Sequence, residues 1–148
     1  MTLRPYRSTD FHALWELDQL CFTRDIAYTQ DELRAFLDYP GAFTIVAEEG
    51  NAVQGFILTH LHRKVGHIIT IDVRSDQRRT GLGSRLLAAA EERVREGKKD
   101  AIILEVAVDN LPALTFYKRH GFSVVRTIPR YYANGLDALE MVKPVSPA

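Results

Sequence analysis

Ile69-Thr70-Ile71-Asp72-Val73, then Arg74-Ser75-Asp76-Gln77-Arg78-Arg79-Thr80-Gly81-Leu82-Gly83-Ser84, then Arg85-Leu86-Leu87: the reading of this stretch decides the fold. Its first part is apolar and β-branched, which suits a strand. Its middle is polar, cationic and glycine-bearing, and reads as a turn. Its last part reads as a helix, with Leu82, Leu86, Ala90 and Val94 along one face. A strand that feeds a helix through such a turn leaves unpaired backbone N–H groups at the helix start. Those groups and the helix dipole attract an anion. Gly81 and Gly83 carry no Cβ, so a phosphate can approach the backbone. Arg78 and Arg79 add charge-assisted donors. The bland alternative is a basic surface turn that caps a helix.

Two familiar phosphate loops do not match. A Walker loop needs Gly-Lys-Ser/Thr, which the chain lacks, and the dinucleotide fingerprint needs a third glycine where Leu86 stands. The pattern present is Arg78-x-x-Gly81-x-Gly83.

Composition bounds the rest. A chain of 148 residues, 46% hydrophobic, is expected to form a single domain, 1–148, with room for a core. Nineteen basic and nineteen acidic side chains cancel, which argues against broad nucleic-acid binding and leaves room for a local cationic pocket. No apolar run approaches the ~20 residues of a membrane span. Met1-Thr2-Leu3-Arg4-Pro5 lacks the apolar core of a signal peptide. The single cysteine, Cys21, rules out an intramolecular disulfide. A soluble cytoplasmic protein with neither a membrane nor a nucleic-acid partner is the expectation.

Outward from the deciding stretch, Ser8-Thr9-Asp10 opens a helix on which Phe11, Leu14, Leu17 (or Asp18) and Cys21 recur at helical spacing. Cys21 on that face reads as a small core residue rather than a nucleophile. Phe22 to Tyr28 reads as a loop. Thr29-Gln30-Asp31-Glu32 is a capping box for a second helix, stopped by Pro40-Gly41. Phe43 to Glu48 and Ala52 to Leu61 read as a hairpin, in which Gly55 marks a bulge or a close approach by another backbone. His60 and His62 point the same way, but with no third ligand nearby they read as a solvated strand end and no metal site is expected.

After the long helix, Gly97 provides a stop and Ala101 to Ala107 forms a second apolar strand, interrupted by Glu105. A carboxylate there is either on a solvated face or held in a pocket. Asn110-Leu111-Pro112 opens a short helix in which Ala113, Phe116, Tyr117 and His120 share a face. Phe122 to Ile128 and Leu136 to Val142 read as strands joined by a loop carrying Tyr131 and Tyr132. The order is helix, helix, three strands, helix, strand, helix, two strands: α/β with a mixed sheet.

A second motif, Asn110-x-x-Ala113-x-x-Phe116-Tyr117-x-x-x-Gly121-Phe122, follows the first after one helix and one strand. Together, and in this order of elements, they make essentially the whole chain resemble the GNAT family of N-acyltransferases. Leu104-Glu105-Val106, Arg130-Tyr131-Tyr132 and Asp137-Ala138 followed by Met141 look like the RimI-type members, which acetylate the N-terminal α-amine of a ribosomal protein. The resemblance implies a GNAT fold: a mixed central β-sheet flanked by helices, with splayed central strands. It implies acetyl-CoA as co-substrate and no metal. Backbone amides of Arg79, Thr80, Gly81, Leu82, Gly83 and Ser84, beside Arg78, would hold its pyrophosphate. The main chain of Ile71 and Val73 would pair with the pantetheine arm, and Asn110 would bond it from the other side. Glu105 would be the general base and Tyr117 the general acid, also touching the co-substrate. Tyr131 and Tyr132 would hold the peptide end. The implied partner is a protein N-terminus or other amine acceptor, on a monomer or homodimer.

Those residue types suit the chemistry. An amine attacks a thioester directly, so no enzyme nucleophile is required. An α-amine, with a pKa of ~8 against ~10.4 for lysine, needs less help from a base. A partly buried carboxylate can take its proton, and a phenol can return one to the leaving thiolate. Against these stand other readings: Tyr117 is plain core; His60, His67 or His120 acts through ordered water in place of Glu105, or there is no dedicated base; Tyr131 and Tyr132 are ordinary loop tyrosines. RimI-type enzymes often show Phe-Pro where this chain has Phe22-Thr23, a departure in a loop that helps form the peptide groove. The alternative functions are acetyl transfer to a small amine or a lysine side chain, and a non-catalytic acyl-CoA-binding module.

Overall fold

The computed structural model describes residues 1–145; of the expected span 1–148, residues 146–148 lie outside the described residues. Strands β1 (Thr2–Pro5), β2 (Ala42–Glu49), β3 (Ala52–Leu61), β4 (Val65–Val73), β5 (Ala101–Ala107), β6 (Ser123–Ile128) and β7 (Ala138–Pro144) make one sheet, in the order β1-β2-β3-β4-β5-β7-β6. Helices α1 (Phe11–Cys21) and α2 (Gln30–Asp38) cover one face, packing Phe11, Leu14, Leu17 and Leu33 onto Val46, Phe56 and Leu58. Helix α3 (Leu82–Glu96) covers the other, with Leu82, Leu86, Leu87, Ala90 and Val94 packed with Ile57, Ile68, Ile102 and Leu104, and Tyr117 of α4 (Leu111–Arg119) joins this core. Each fully buried leucine of this kind contributes about 1.5–3 kcal/mol. Both faces are covered, so β3 is buried almost continuously from Gly55 to His60 rather than in alternation.

The α2 capping box forms as its sequence predicts: Thr29 Oγ1 accepts from Glu32 N–H at 3.1 Å, and Glu32 Oε1 accepts from Thr29 N–H at 2.9 Å. Gly55 satisfies both expectations. It adjoins a register shift between β2 and β3, and a Cβ there would lie 2.8 Å from the Asp72 carbonyl.

Two strand expectations need correction. The sequence reading missed β1, which has four residues and pairs antiparallel with β2 at the sheet edge. So short a run carries no periodic signal, and Pro5 is tolerated because an edge strand needs bonds on one side only. Strand β4 starts at Val65, ahead of the β-branched run at Ile69, because pairing with β3 through Leu61↔Gly66 and His60↔His67 carries it through Gly66 and His67.

The feature that makes room for a site is a parting of strands. Parallel β4 and β5 pair only at Val65↔Ala101, Gly66↔Ile102 and His67↔Ile103. Just beyond, the β3–β4 register jumps from Thr59↔Ile68 to Leu58↔Thr70, which leaves Ile69 as an extra residue. A bulge bends its strand and increases the local twist. Strand β4 therefore stays with β3 as far as Val73, while β5 follows β7 as far as Ala107↔Ala138. A wedge-shaped gap opens between them, as the splayed central strands of the resemblance require.

Candidate active site

The wall of the gap formed by β4 is main chain. Arg74 N–H bonds the Gln54 carbonyl at 2.9 Å, toward β3. Peptide groups alternate in direction along a strand, so those of Val73 and Ile71 point away from β3, into the gap. Beyond Val73 the chain makes a short 3-10 turn at Ser75–Gln77, passes through Arg79 at φ 67°, and enters α3 through Gly81 at φ 88°. Among the described residues no side chain caps this helix; its first internal bond runs from Arg85 N–H to the Gly81 carbonyl at 3.0 Å. The N–H groups of Leu82, Gly83 and Ser84 thus precede the helical ladder, as at any helix start. With Arg78 and Arg79 alongside, they form a cationic, donor-rich rim at the mouth of the gap. The left-handed φ explains Gly81, since a Cβ there meets nothing but open space. Gly83 sits over Phe116, 3.4 Å from where its Cβ would be.

The opposite wall comes from β5 and α4. Asn110 caps α4, its Oδ1 accepting from Ala113 N–H at 3.2 Å. Tyr117 is 7% exposed, held by ring contacts with Phe116 and Phe122 at 5.3 and 5.6 Å. Burial first, then the Asp72 carboxylate, raises its pKa well above the ordinary phenol, so its hydroxyl is a donor at neutral pH.

On the α1–α2 face, Glu105 is held in a pocket. His67 Nε2–H donates to Glu105 Oε1 at 2.7 Å, and the Tyr131 hydroxyl donates to the same oxygen at 3.3 Å. The Glu105 side chain is 13% exposed. Burial, followed by the charge of Glu105, pushes Tyr131 up to about 12, and burial raises Tyr132, whose ring meets that of Tyr131 edge-on at 4.9 Å. Tyr28 closes the site from the α1–α2 loop, its hydroxyl donating to the Ile69 carbonyl at 3.4 Å and its pKa raised by burial and by Asp18.

Of the three histidines that compete with Glu105, only His67 touches it. His120 bonds Ser84 Oγ at 2.9 Å, on the α3 side. His60 departs from the solvated strand end expected of it. It is buried, donates through Nε2 to the Phe36 carbonyl at 2.8 Å, and stacks on Tyr39 at 4.3 Å. Burial lowers its pKa, so it is a neutral packing residue. Helix α2 lies over that end of β3, which the local sequence does not reveal. Cys21 behaves as a core thiol: it donates to the Val73 carbonyl at 3.4 Å, and burial pushes its pKa up to about 11.

Sequence reasoning missed a pair of carboxylates, Asp18 on α1 and Asp72 on β4, both completely buried and close enough to act on each other's protonation. Their signal was present: each interrupts an apolar pattern, at the helical spacing 11, 14, 18, 21 and within Ile69–Val73.

A profile of the Acetyltransferase (GNAT) family matches residues 11–122. The chain is 31% identical to an N-alpha-acetyltransferase of Sulfurisphaera tokodaii, over 97% of this chain and 92% of the relative. The ribosomal-protein-S18-alanine N-acetyltransferase from Escherichia coli shares the fold with a TM-score of 0.89 at 22% identity, over 99% of this chain and 95% of that one. A chain of the NatC complex, solved bound to Gag peptide and CoA, has a TM-score of 0.82 at 25% identity, over 98% of each chain.

Proposed function

The chain belongs to the GNAT family of acetyltransferases, and from that premise we propose that it transfers the acetyl group of acetyl-CoA to the N-terminal α-amine of a protein. One observation carries the reading: Glu105, bonded to His67 and Tyr131, stands beside a gap with unpaired main chain and a donor-rich helix start at its mouth.

Bound acetyl-CoA supplies the acyl thioester. The residues that would hold it are the backbone N–H groups of Arg79 to Ser84, with Arg78 beside them, for its pyrophosphate. The main chain of Ile71 and Val73 would pair with its pantetheine arm as an added strand, and the Asn110 amide would donate from the other side. Such a site fits an extended, amide-bearing, anionic-ended ligand, because a parted parallel pair leaves the peptide groups on its facing edges outside the sheet ladder.

Glu105 takes a proton from the acceptor ammonium; His67 and Tyr131 orient the carboxylate. Tyr117, buried and protonated, donates toward the leaving sulfur. An α-ammonium of pKa ~8 is the acceptor such a base handles more readily than a lysine of pKa ~10.4. Tyr131 and Tyr132 on one side and Tyr28 on the other would clasp the peptide end. A ribosomal N-terminus is the first acceptor to try, since the Escherichia coli neighbour is named for one.

The test is mass spectrometry of short peptides with free or blocked N-termini, with and without lysine, incubated with acetyl-CoA. Acetylation confined to free α-amines is the expected result. Acetylation of blocked, lysine-bearing peptides would reassign the acceptor, and CoA binding without transfer to any amine would make the chain a binding module.

A further inference from the structure

The buried carboxylates Asp18 and Asp72 take no part in the mechanism above. Both are 0% exposed. Asp18 Oδ2 accepts the Tyr28 backbone N–H at 2.8 Å, and Asp72 Oδ1 accepts the Thr70 hydroxyl at 2.5 Å. That leaves Asp18 Oδ1 and Asp72 Oδ2, one oxygen on each, buried and without a donor among the described residues. The two carboxyl groups are close enough to act on each other's protonation. Two ionised carboxylates cannot donate to each other, and a buried polar atom without a partner costs about 1–3 kcal/mol. One proton placed between them satisfies both orphaned oxygens at once.

We propose that Asp18 and Asp72 share a single proton, and that this hydrogen bond is a latch holding the α1–α2 loop, and with it Tyr28, against β4. The inference that the latch shapes acceptor binding rests on the function proposed above; the latch itself does not. Its geometry is a chain of contacts across the parting strand. Asp72 lies just past the Ile69 bulge on β4. Asp18 bridges from α1 to the Tyr28 main chain. The Tyr28 carbonyl is held by Trp15 Nε1–H at 3.1 Å and Gln19 Nε2–H at 2.7 Å, and the Tyr28 hydroxyl returns to the Ile69 carbonyl at 3.4 Å. Loop, helix and strand thus meet at one proton. Asp18 and Asp72 are positioning residues, because they touch the wall of the acceptor groove rather than reacting atoms.

The surrounding groups support protonation. Burial raises both carboxyls; the charge of Asp18 raises Asp72 further, and Glu32 of α2 raises Asp18. The Thr70 hydroxyl and then Arg78, from the turn after β4, oppose the shift at Asp72, and Asp72 itself and the Tyr28 backbone N–H oppose it at Asp18, without cancelling either. The other titratable neighbours are the Cys21 thiol of α1, Tyr28 of the loop and Tyr117 of α4, all pushed upward by burial and by the pair itself, so they remain neutral. The folded protein keeps a proton that the unfolded chain loses near pH ~4. The pair's contribution to stability is therefore complete below that pH and is lost as pH rises toward the raised value.

The experiment compares wild type with Asp72→Asn and with Asp18→Asn, either of which replaces the shared proton by a permanent amide donor. Infrared spectra of protein carrying carboxyl-labelled aspartate should show a protonated acid carbonyl in wild type at neutral pH, absent from both variants. Trp15 is the chain's one tryptophan and bonds the latched loop directly, so its emission reads the latch without substrate. It should shift in wild type as pH rises toward 9.5, kept short of tyrosine ionisation near ~10, and stay constant in the variants. The wild-type melting temperature should fall relative to that of Asp72→Asn over the same range. The ratio of acceptor KM, wild type to variant, should rise about threefold or more while kcat ratios stay level, a comparison in which titration of the amine itself cancels. Absence of the acid carbonyl in wild type overturns the shared proton. Its presence with an unchanging Trp15 signal overturns the latch. Failure of every peptide as acceptor, with both signals as expected, counts against the proposed acceptor and leaves the latch standing.

Discussion

The two flanks of the gap are built on opposite principles. The rim at the start of α3 is one contiguous segment, Arg74 to Ser84, and it works through main chain: positive φ at Arg79 and Gly81, a helix start and two neighbouring arginines. The pocket on the α1–α2 face is assembled from side chains of α1, the loop after it, β4, β5 and the β6–β7 connection, and it works through single atoms, such as Glu105 Oε1 taking both His67 and Tyr131. A main-chain site tolerates most side chains that leave the backbone path alone. A site made of converging side chains fails when one atom changes. The rim should therefore govern co-substrate affinity, and the pocket should govern turnover.

The sharpest test of that division is Glu105→Gln. The change keeps the shape and removes the proposed base, so kcat should fall by about 10²–10⁴ while acetyl-CoA affinity by calorimetry stays within about twofold. A large loss of affinity would break the distinction between the flanks. Next is Tyr117→Phe, which removes one donor from a fully packed ring. Its kcat should fall by about 10- to 100-fold, the worth of a hydrogen bond of about 1–3 kcal/mol, with little change in either KM. Gly81→Val probes the rim. A side chain in the left-handed region costs about 1–2 kcal/mol, so the acetyl-CoA KM should rise by about tenfold and the peptide KM should hold. Steady-state kinetics with each substrate varied in turn separates the two.

The smallest effect on activity is expected outside both flanks. Arg4 donates to Asp10 at 2.8 and 2.9 Å and to Glu48 at 3.1 Å, tying β1 to the start of α1 and to β2. The Arg4 guanidinium holds the Asp10 carboxyl below the usual range, so this tie stabilises the fold above pH ~4 and is lost as pH falls through the lowered value. Asp10→Asn should lower stability by about 1–3 kcal/mol at neutral pH, read by urea unfolding, and narrow the gap to wild type in acid. Both KM values and kcat should be unchanged.

The same contrast explains what could be read in advance. The turn and helix at Arg78 to Ser84 were legible because every residue involved lies within a few positions of the next. The α2 capping box was legible for the same reason. Glu105 was half legible: its strand was clear, but whether it faced solvent or a pocket depended on His67, thirty-eight positions earlier. His60 was misjudged because α2 covers it, and β1 was missed because only pairing with β2 makes Thr2–Pro5 a strand.

The sequence by itself determined the alternation of elements, the cationic glycine turn and the supply of carboxylate and phenol side chains. These follow from backbone preference and hydrophobic period, which act over a few residues. Only the tertiary structure decided that β4 leaves β5 after His67, that Glu105 meets His67, and that Asp18 meets Asp72. Strand pairing and side-chain convergence join residues far apart in the chain. They are settled when the sheet closes around its two cores and each buried polar group must find a partner or a proton.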